Sequence, residues 1–278
     1  MKNGIILIDK EKDMTSRDVV NIISKKLNTR KVGHTGTLDH LATGLMIICV
    51  NKATKLVDMI TSHEKTYVAK VKIGVKTDTY DITGKILEEK KCSLKKEELI
   101  NTLNSFIGKY MQEVPIYSAV KVNGKKLYEY ARNNIEVELP KHEVEIKEIE
   151  LLDFDNDNFS FKVKVSKGTY IRSLINDIGN KLNILMTMEE LRRISIENYD
   201  VSNSKKVNDI NEKDIVLVKD FLDVKKIIVD DKLEKKIRNG VKIENVYNTD
   251  KVLFLDKNNN EIALYQENNG FLSVYCMF

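Results

Sequence analysis

The sequence predicts an α+β fold with a small β-rich module at its C-terminal end. Three patterns carry that reading: period-2 strands such as residues 66–73 and 159–165, helical-period segments between them, and a run of strand signals in residues 226–278. At 278 residues the chain can bury a full core and still form a second, smaller domain.

Residues 4–9 read as an apolar strand. Thr15, with Asp18 three positions on, makes a capping-box-like helix start, and Val19, Val20, Ile22, Ile23 and Leu27 recur at helical spacing. Residues 33–44 are a loop rich in Gly and Thr. Gly33, Gly36 and Gly44 suit a tight, shaped turn, and Asp39 stands at its centre. The unbroken apolar run 45–50 predicts a buried strand, after which Asn51 is expected to cap a short helix. Tyr67, Ala69, Val71 and Ile73 alternate with Lys70 and Lys72, as in a half-buried strand. Residues 78–84 form a turn-rich loop, and residues 94–106 return to helical spacing through Leu99, Leu103 and Phe106.

In residues 117–132, Lys121, Lys125, Lys126 and Arg132 interleave with Tyr117, Tyr128 and Tyr130. Cations for phosphates and flat rings for stacking suit a single-stranded RNA loop, although a solvated helix face with ordinary aromatic packing has the same pattern. Phe159, Phe161, Val163 and Val165 mark a second clear strand, followed by a helix with Ile171, Leu174, Ile175, Ile178 and Leu182 on its apolar face. Arg172 falls in the first turn of that helix, off the apolar face. A cation there meets the positive end of the helix dipole, at a cost of roughly 0.3 to 1 kcal/mol. An anion, either a carboxylate or an RNA phosphate, is therefore expected beside it.

Residues 201–213 are polar and weakly periodic and read as an excursion or linker. From residue 226 come a short strand, a helix from Asp231 closed by Gly240, and strands at 252–255, 261–266 and 271–278, with Asn269-Gly270 as a hairpin turn.

Composition excludes several classes. No apolar run approaches the roughly 20 residues of a membrane span, and residues 1–3 lead into a strand without a signal-peptide pattern, so a cytoplasmic protein is expected. Three scattered cysteines indicate neither a disulfide framework nor a zinc site. A net charge of +4 with 32% charged residues is only mildly basic, so any nucleic-acid surface must be local. His34, His40, His63 and His142 are too dispersed for a metal site, and no nucleophilic triad or phosphate-binding glycine loop stands out. Chemistry here is expected to need neither metal nor cofactor. On spacing alone Asp39 is either a turn residue bonded to its own backbone or a reactive carboxylate; an ordinary aspartate, with a pKa of about 3.9, is ionised at neutral pH and needs no activating base.

The ordered positions Gly33-His34-Thr35-Gly36-Thr37-Leu38-Asp39-His40-Leu41-Ala42-Thr43-Gly44, within residues 31–55, resemble the signature of the TruB-type tRNA pseudouridine synthases. Residues 115–121 and 124–128 resemble the same enzymes. The resemblance implies a pseudouridine synthase fold, with a central mixed, largely antiparallel sheet flanked by helices in residues 1–225, an RNA-clamping insertion at about 108–145, and a PUA-like β-barrel in residues 226–278. It implies isomerisation of uridine to pseudouridine at position 55 of the tRNA T loop, with the target base flipped out. Asp39 is then the nucleophile, Arg172 its partner, and Tyr67 and Tyr170 the tyrosines at the target base. His34, which would stack in the T loop, Asp81, Lys10, Lys121, Lys125, Lys126 and Tyr117 complete the expected RNA contacts. The expected partner is the T stem-loop of tRNA, met by a monomer that requires no membrane and no protein partner. A non-catalytic RNA-binding or tRNA-folding protein and a guide-RNA-dependent relative are the alternatives.

The sequence also departs from the family pattern. Residues 9–16 read Asp-Lys-Glu-Lys-Asp-Met-Thr-Ser where the family has Pro and Gly after Asp-Lys, and His40 replaces the usual Pro after the aspartate. Glu11 and Asp13 add negative charge near the expected RNA, so weaker affinity is the expected effect.

Overall fold

In the computed structural model, which describes residues 2–278, the chain forms two main sheets. The larger begins with β1 (Gly4–Lys10), α1 (Ser16–Lys26), β2 (Val32–His34) and β3 (Thr43–Val50). The α1 start has the expected reciprocal cap: the Thr15 hydroxyl accepts from the Asp18 amide, and the Asp18 carboxylate accepts from the Thr15 amide.

β1 and β3 pair antiparallel, from Gly4 opposite Val50 to Lys10 opposite Gly44. Their unbroken apolar character follows from burial on both faces. Ile6, Ile8, Met46, Ile48 and Val50 enter one core with Val19 and Ile23 of α1, while Ile5, Leu45, Ile47 and Cys49 enter another with Leu253, Leu255, Leu264 and Phe278. The C-terminal module thus seals the far face of the strand that carries the Asp39 loop.

Asn51 does not cap the next helix. It lies at φ 56° as the first residue of a 3-10 turn (Asn51–Leu56) leading into α2 (Val57–Thr61), and Val50 takes the cap position. Its amide instead accepts from Thr29 and donates to the Lys2 carbonyl, so it ties two loops together.

The other half of the sheet comprises β4 (Lys65–Ile73), the hairpin β5 (Val75–Thr77) and β6 (Ile86–Glu89), α3 (Lys96–Asn104) and β7 (Gly108–Glu113). A second small hairpin, β8 (Lys121–Val122) and β9 (Lys125–Lys126), precedes α4 (Leu127–Arg132). The long β10 (Lys141–Phe154), β11 (Asn158–Val165), α5 (Ile171–Leu182), β12 (Met186–Ile196), β13 (Tyr199–Asp200) and β14 (Val216–Leu217) follow. The path is β14-β1-β3-β12-β4-β11-β10-β7, with β2 beside β3 and β13 beside β12. Among the described strands of this sheet, only β3 and β12 pair parallel, through Thr43 opposite Arg192 and Gly44 opposite Arg193. At this seam Gly44 has φ 104°, and a Cβ would stand 2.2 Å from the Arg193 carbonyl oxygen, so only glycine fits.

Residues 201–213 are not a linker. Val207 and Ile210 are buried in the main core, the Asp9 amide donates to the Lys205 carbonyl, and Lys206 bonds the Asp9 carboxylate at 2.9 Å. Two apolar anchors three residues apart suffice to fix an otherwise polar segment.

The second sheet contains β15 (Lys225–Ile228), β16 (Ile243–Glu244), β17 (Lys251–Leu255), β18 (Glu261–Asn268) and β19 (Phe271–Met277), in the order β15-β17-β18-β19-β16, and curls as a half-barrel. α6 (Asp231–Arg238) is capped by Asp230, and Asn269 and Gly270 both take positive φ in the hairpin turn. Among the described residues no helix is long and apolar enough to cross a membrane.

Candidate active site

Residues 35–42 form the loop that joins β2 to β3 above the parallel seam. Four of its carbonyls are held individually. Gly36 O accepts from the Arg193 guanidinium at 3.2 Å, Leu38 O from Ser16 Oγ at 3.2 Å, Asp39 O from the Ala42 amide at 3.1 Å, and His40 O from the Asp13 amide at 3.1 Å. Ser16 Oγ also accepts from the Leu38 amide at 2.9 Å. Leu38, Leu41 and Ala42 are buried beneath, whereas the Asp39 side chain remains 37% exposed. A carboxylate in solvent contact on a backbone this constrained is preorganised for chemistry.

Arg172 supplies the other half. Its Nε donates to Asp39 Oδ2 at 2.9 Å and its Nη2 to Oδ1 at 3.1 Å, the two-pronged geometry that a guanidinium gives a carboxylate. Nη1 donates to Thr79 O and Nη2 also to Tyr117 O, both at 3.1 Å, and an Asp81 carboxylate oxygen lies 4.0 Å from Nε. The anion expected beside this helix-start arginine is thus a carboxylate. Asp81 is itself fixed by Thr79 and by the Thr83 amide and hydroxyl, and Tyr80 between Thr79 and Asp81 takes φ 61°, a strained conformation for a tyrosine.

Tyr170 occupies the cap position of α5. Gln112 holds its backbone on both sides, accepting from the Tyr170 amide at 2.8 Å and donating to its carbonyl at 3.1 Å. Burial raises the Tyr170 phenol above its ordinary pKa, which keeps it protonated. Tyr67 is 7% exposed on β4, opposite Val163 and Arg193. Among the described residues no hydrogen bond or ion pair links Tyr67 to Asp39. His34 ends β2, its Nδ1 accepting from the Gly36 amide, and burial, reinforced by Arg17 and Arg193, lowers its pKa and favours the neutral ring.

Lys121 and Lys125 are exposed on the β8–β9 hairpin, and Lys126 lies over the Tyr128 ring. The Tyr117 hydroxyl donates to Asp78. Lys10 does not fit the expectation of an RNA contact. It is fully buried, and its ammonium donates to the carbonyls of Glu11, Met14 and His40, so it braces the loop from below. Burial, opposed mainly by the nearby Asp39 charge, pulls its pKa down to about 8. Among the described residues no three His, Cys, Asp or Glu side chains converge as a metal-binding group.

Farther along α5, Asp177 accepts from the Tyr110 hydroxyl, and Gln112 donates to the same oxygen. Burial pushes Asp177 up to about 6 from 3.8. Between these values the folded state holds the proton more tightly than the unfolded chain, so stability falls as pH rises through this window and the full penalty is present above about 6. A fully buried group with this shift would cost about 3 kcal/mol, reduced here to about 1–2 because the side chain keeps solvent contact. Urea unfolding should therefore find Asp177→Asn more stable than the parent at pH 7 to 8, with the gap closing by pH 4.

The family pattern described as TruB family pseudouridylate synthase, N-terminal domain, matches residues 24–171, from within α1 through the Asp39 loop to the first residue of α5. The chain belongs to the TruB family. The tRNA pseudouridine synthase B of Clostridium tetani is 44% identical over 271 residues, covering 95% of this chain and 92% of that protein. That of Lactobacillus acidophilus is 42% identical over 283 residues, covering 96% and 95%. Among solved structures, a chain of a Cbf5-Nop10-Gar1 complex superimposes with a TM-score of 0.72 at 23% identity, covering 99% of this chain and 84% of that one, a likeness of fold.

Sequence reasoning missed the carbonyls of Thr79 and Tyr117, which no side-chain motif announces, and it missed Ser16 and Arg193. Arg193 left one signal: a cation at an inward position of a strand otherwise lined by Met186, Met188 and Leu191.

Proposed function

We propose that this TruB-family enzyme isomerises uridine to pseudouridine at position 55 in the T loop of tRNA, with Asp39 as nucleophile. The observation that carries the reading is the two-pronged Asp39–Arg172 pair on a loop held by bonds to four of its carbonyls. It is supported by the near full-length similarity to proteins named tRNA pseudouridine synthase B.

The reaction breaks the N1–C1′ bond and forms a C5–C1′ bond. C5 loses a proton and N1 gains one, so atoms and electrons balance without cofactor or metal. The Asp39 carboxylate is the group that attacks, and Arg172 fixes the direction in which its oxygens face. Tyr67 and Tyr170 hold the target base, with Asp81 steadying Arg172 from the other side. Flipping the base from its stack costs a few kcal/mol, which His34 offsets by stacking in its place. Lys121, Lys125, Lys126 and Tyr117 on the insertion at about 108–145 meet the RNA, Lys10 acting only through the loop. Residues 1–225 are the catalytic unit and residues 226–278 a PUA-like RNA-binding unit. The enzyme works in the cytoplasm as a monomer without a protein partner.

The test is the purified chain incubated with an unmodified T stem-loop transcript, with no guide RNA, cofactor or metal added, followed by mass spectrometry of the RNA. Pseudouridine at the T-loop position is the expected product. Its absence under these conditions, with product appearing only when a guide RNA and partner proteins are supplied, would reverse the reading in favour of a guide-dependent enzyme.

A further inference from the structure

Arg193 is 1% exposed and ranks among the largest fully buried side chains, yet none of the ion pairs among the described residues includes it. Its neighbour Arg192 has an ordinary solution, a two-pronged pair with Asp9 at 2.9 and 3.1 Å. A buried guanidinium without a counter-charge is expensive and is retained only where its hydrogen bonds do something an apolar side chain cannot.

Those bonds converge on one object. The Arg193 Nε donates to Leu45 O at 2.7 Å, on the strand just after Gly44, and Nη2 donates to Gly36 O at 3.2 Å, three residues before Asp39. The Arg193 backbone closes the same frame, pairing with Gly44 across the parallel seam and with Tyr67 across β4. We propose that Arg193 is a positioning residue for the reaction: it clamps both arms of the Asp39 loop and refers the carboxylate to the same strand position as Tyr67. This rests on the reading of Asp39 as the nucleophile. The charge is felt by its surroundings, since burial brings Lys10 and Lys65 down to about 8 and Arg193 acts in the same direction on both. An ammonium donates from a single nitrogen, whereas the planar fork reaches the two carbonyls from separate nitrogens, Nε and Nη2, with its geometry fixed.

The experiment compares Arg193→Lys and Arg193→Gln with the parent and with Asp39→Asn, by single-turnover kinetics on the T stem-loop, thermal unfolding, and amide hydrogen exchange. Because a misplacement of about 1 Å can cost on the order of 100-fold in rate, kcat should fall about 10- to 100-fold, with KM within about twofold and Lys retaining more activity than Gln. Exchange should quicken in residues 36–42 and remain unchanged in α5. Parent-like kcat overturns the proposal, as does a loss of protection spread over both sheets or failure of both variants to fold. An inactive parent or an active Asp39→Asn variant instead defeats the reading of Asp39, and loop exchange then still decides whether Arg193 is a clamp.

Discussion

Asp39→Asn should abolish pseudouridine formation, lowering the single-turnover rate by at least about 10⁴-fold, while binding of the T stem-loop should change by no more than a few-fold. The substitution keeps the shape and one acceptor oxygen, so the loop bonds at Gly36, Leu38 and His40, none of which uses the carboxylate, persist. What disappears is the proposed nucleophile, for which an amide is no substitute. Arg172, 6% exposed, also loses the charge of Asp39 but keeps the Asp81 carboxylate at 4.0 Å, Thr79 O and Tyr117 O, so the stability loss should be about 1–2 kcal/mol. Rate is read by mass spectrometry and affinity by filter binding. Normal product from the Asn variant would sink the mechanism. Unchanged affinity alone would not establish an RNA-folding role, but it would show that binding is built from groups other than Asp39.

The parts of this fold legible in the sequence are those where a local pattern has a local cause. The Thr15–Asp18 box spans four residues and forms as read, and Asn269-Gly270 turns a hairpin because both positions tolerate positive φ. The apolar run 45–50 announced a buried strand, and the structure supplies the reason that periodicity could not: two cores, one on each face. Arg172 was legible as a misfit, a cation at the wrong end of a helix, and the misfit resolves as a carboxylate 133 positions away. Lys10, expected from the resemblance to meet the RNA, is buried instead, because its place is decided by the returning loop at His40. Asn51 and the segment 201–213 failed for a related reason. Their partners, Lys2 and Thr29 for one and Asp9 and the main core for the other, are set by tertiary contacts that no short window contains. The site therefore divides unevenly: the side chain on display could be found from sequence, whereas its supports, Ser16, Arg193 and the backbone of Thr79 and Tyr117, required the fold.

Arg172→Lys should lower kcat by about 10²- to 10³-fold even though the charge is kept, and Arg172→Met by more, with about 2–4 kcal/mol lost in urea unfolding. Four of the five N–H donors of Arg172 are committed, two to Asp39, one to Thr79 O and one to Tyr117 O. Those acceptors belong to three separate segments: the loop 35–42, the turn 78–84, and the stretch leading into the β8–β9 hairpin. Arg172 is thus where three walls of the site meet, on the first turn of a helix whose cap residue, Tyr170, Gln112 holds from both sides. A lysine can satisfy the charge of Asp39, but with three donors on one nitrogen it cannot hold both oxygens and still reach two carbonyls. If charge pairing alone were the role, Lys would act nearly like Arg; if joining the walls is the role, Lys should fail almost as Met does. Kinetics alone could confuse the two through a weakened fold, so hydrogen exchange provides the second readout. In Arg172→Lys, residues 78–84 and 115–120 should lose protection together with the Asp39 loop, although only the loop carries the carboxylate. Parent-like protection in those two segments, or a rate within about threefold of the parent, would show that Arg172 serves Asp39 alone.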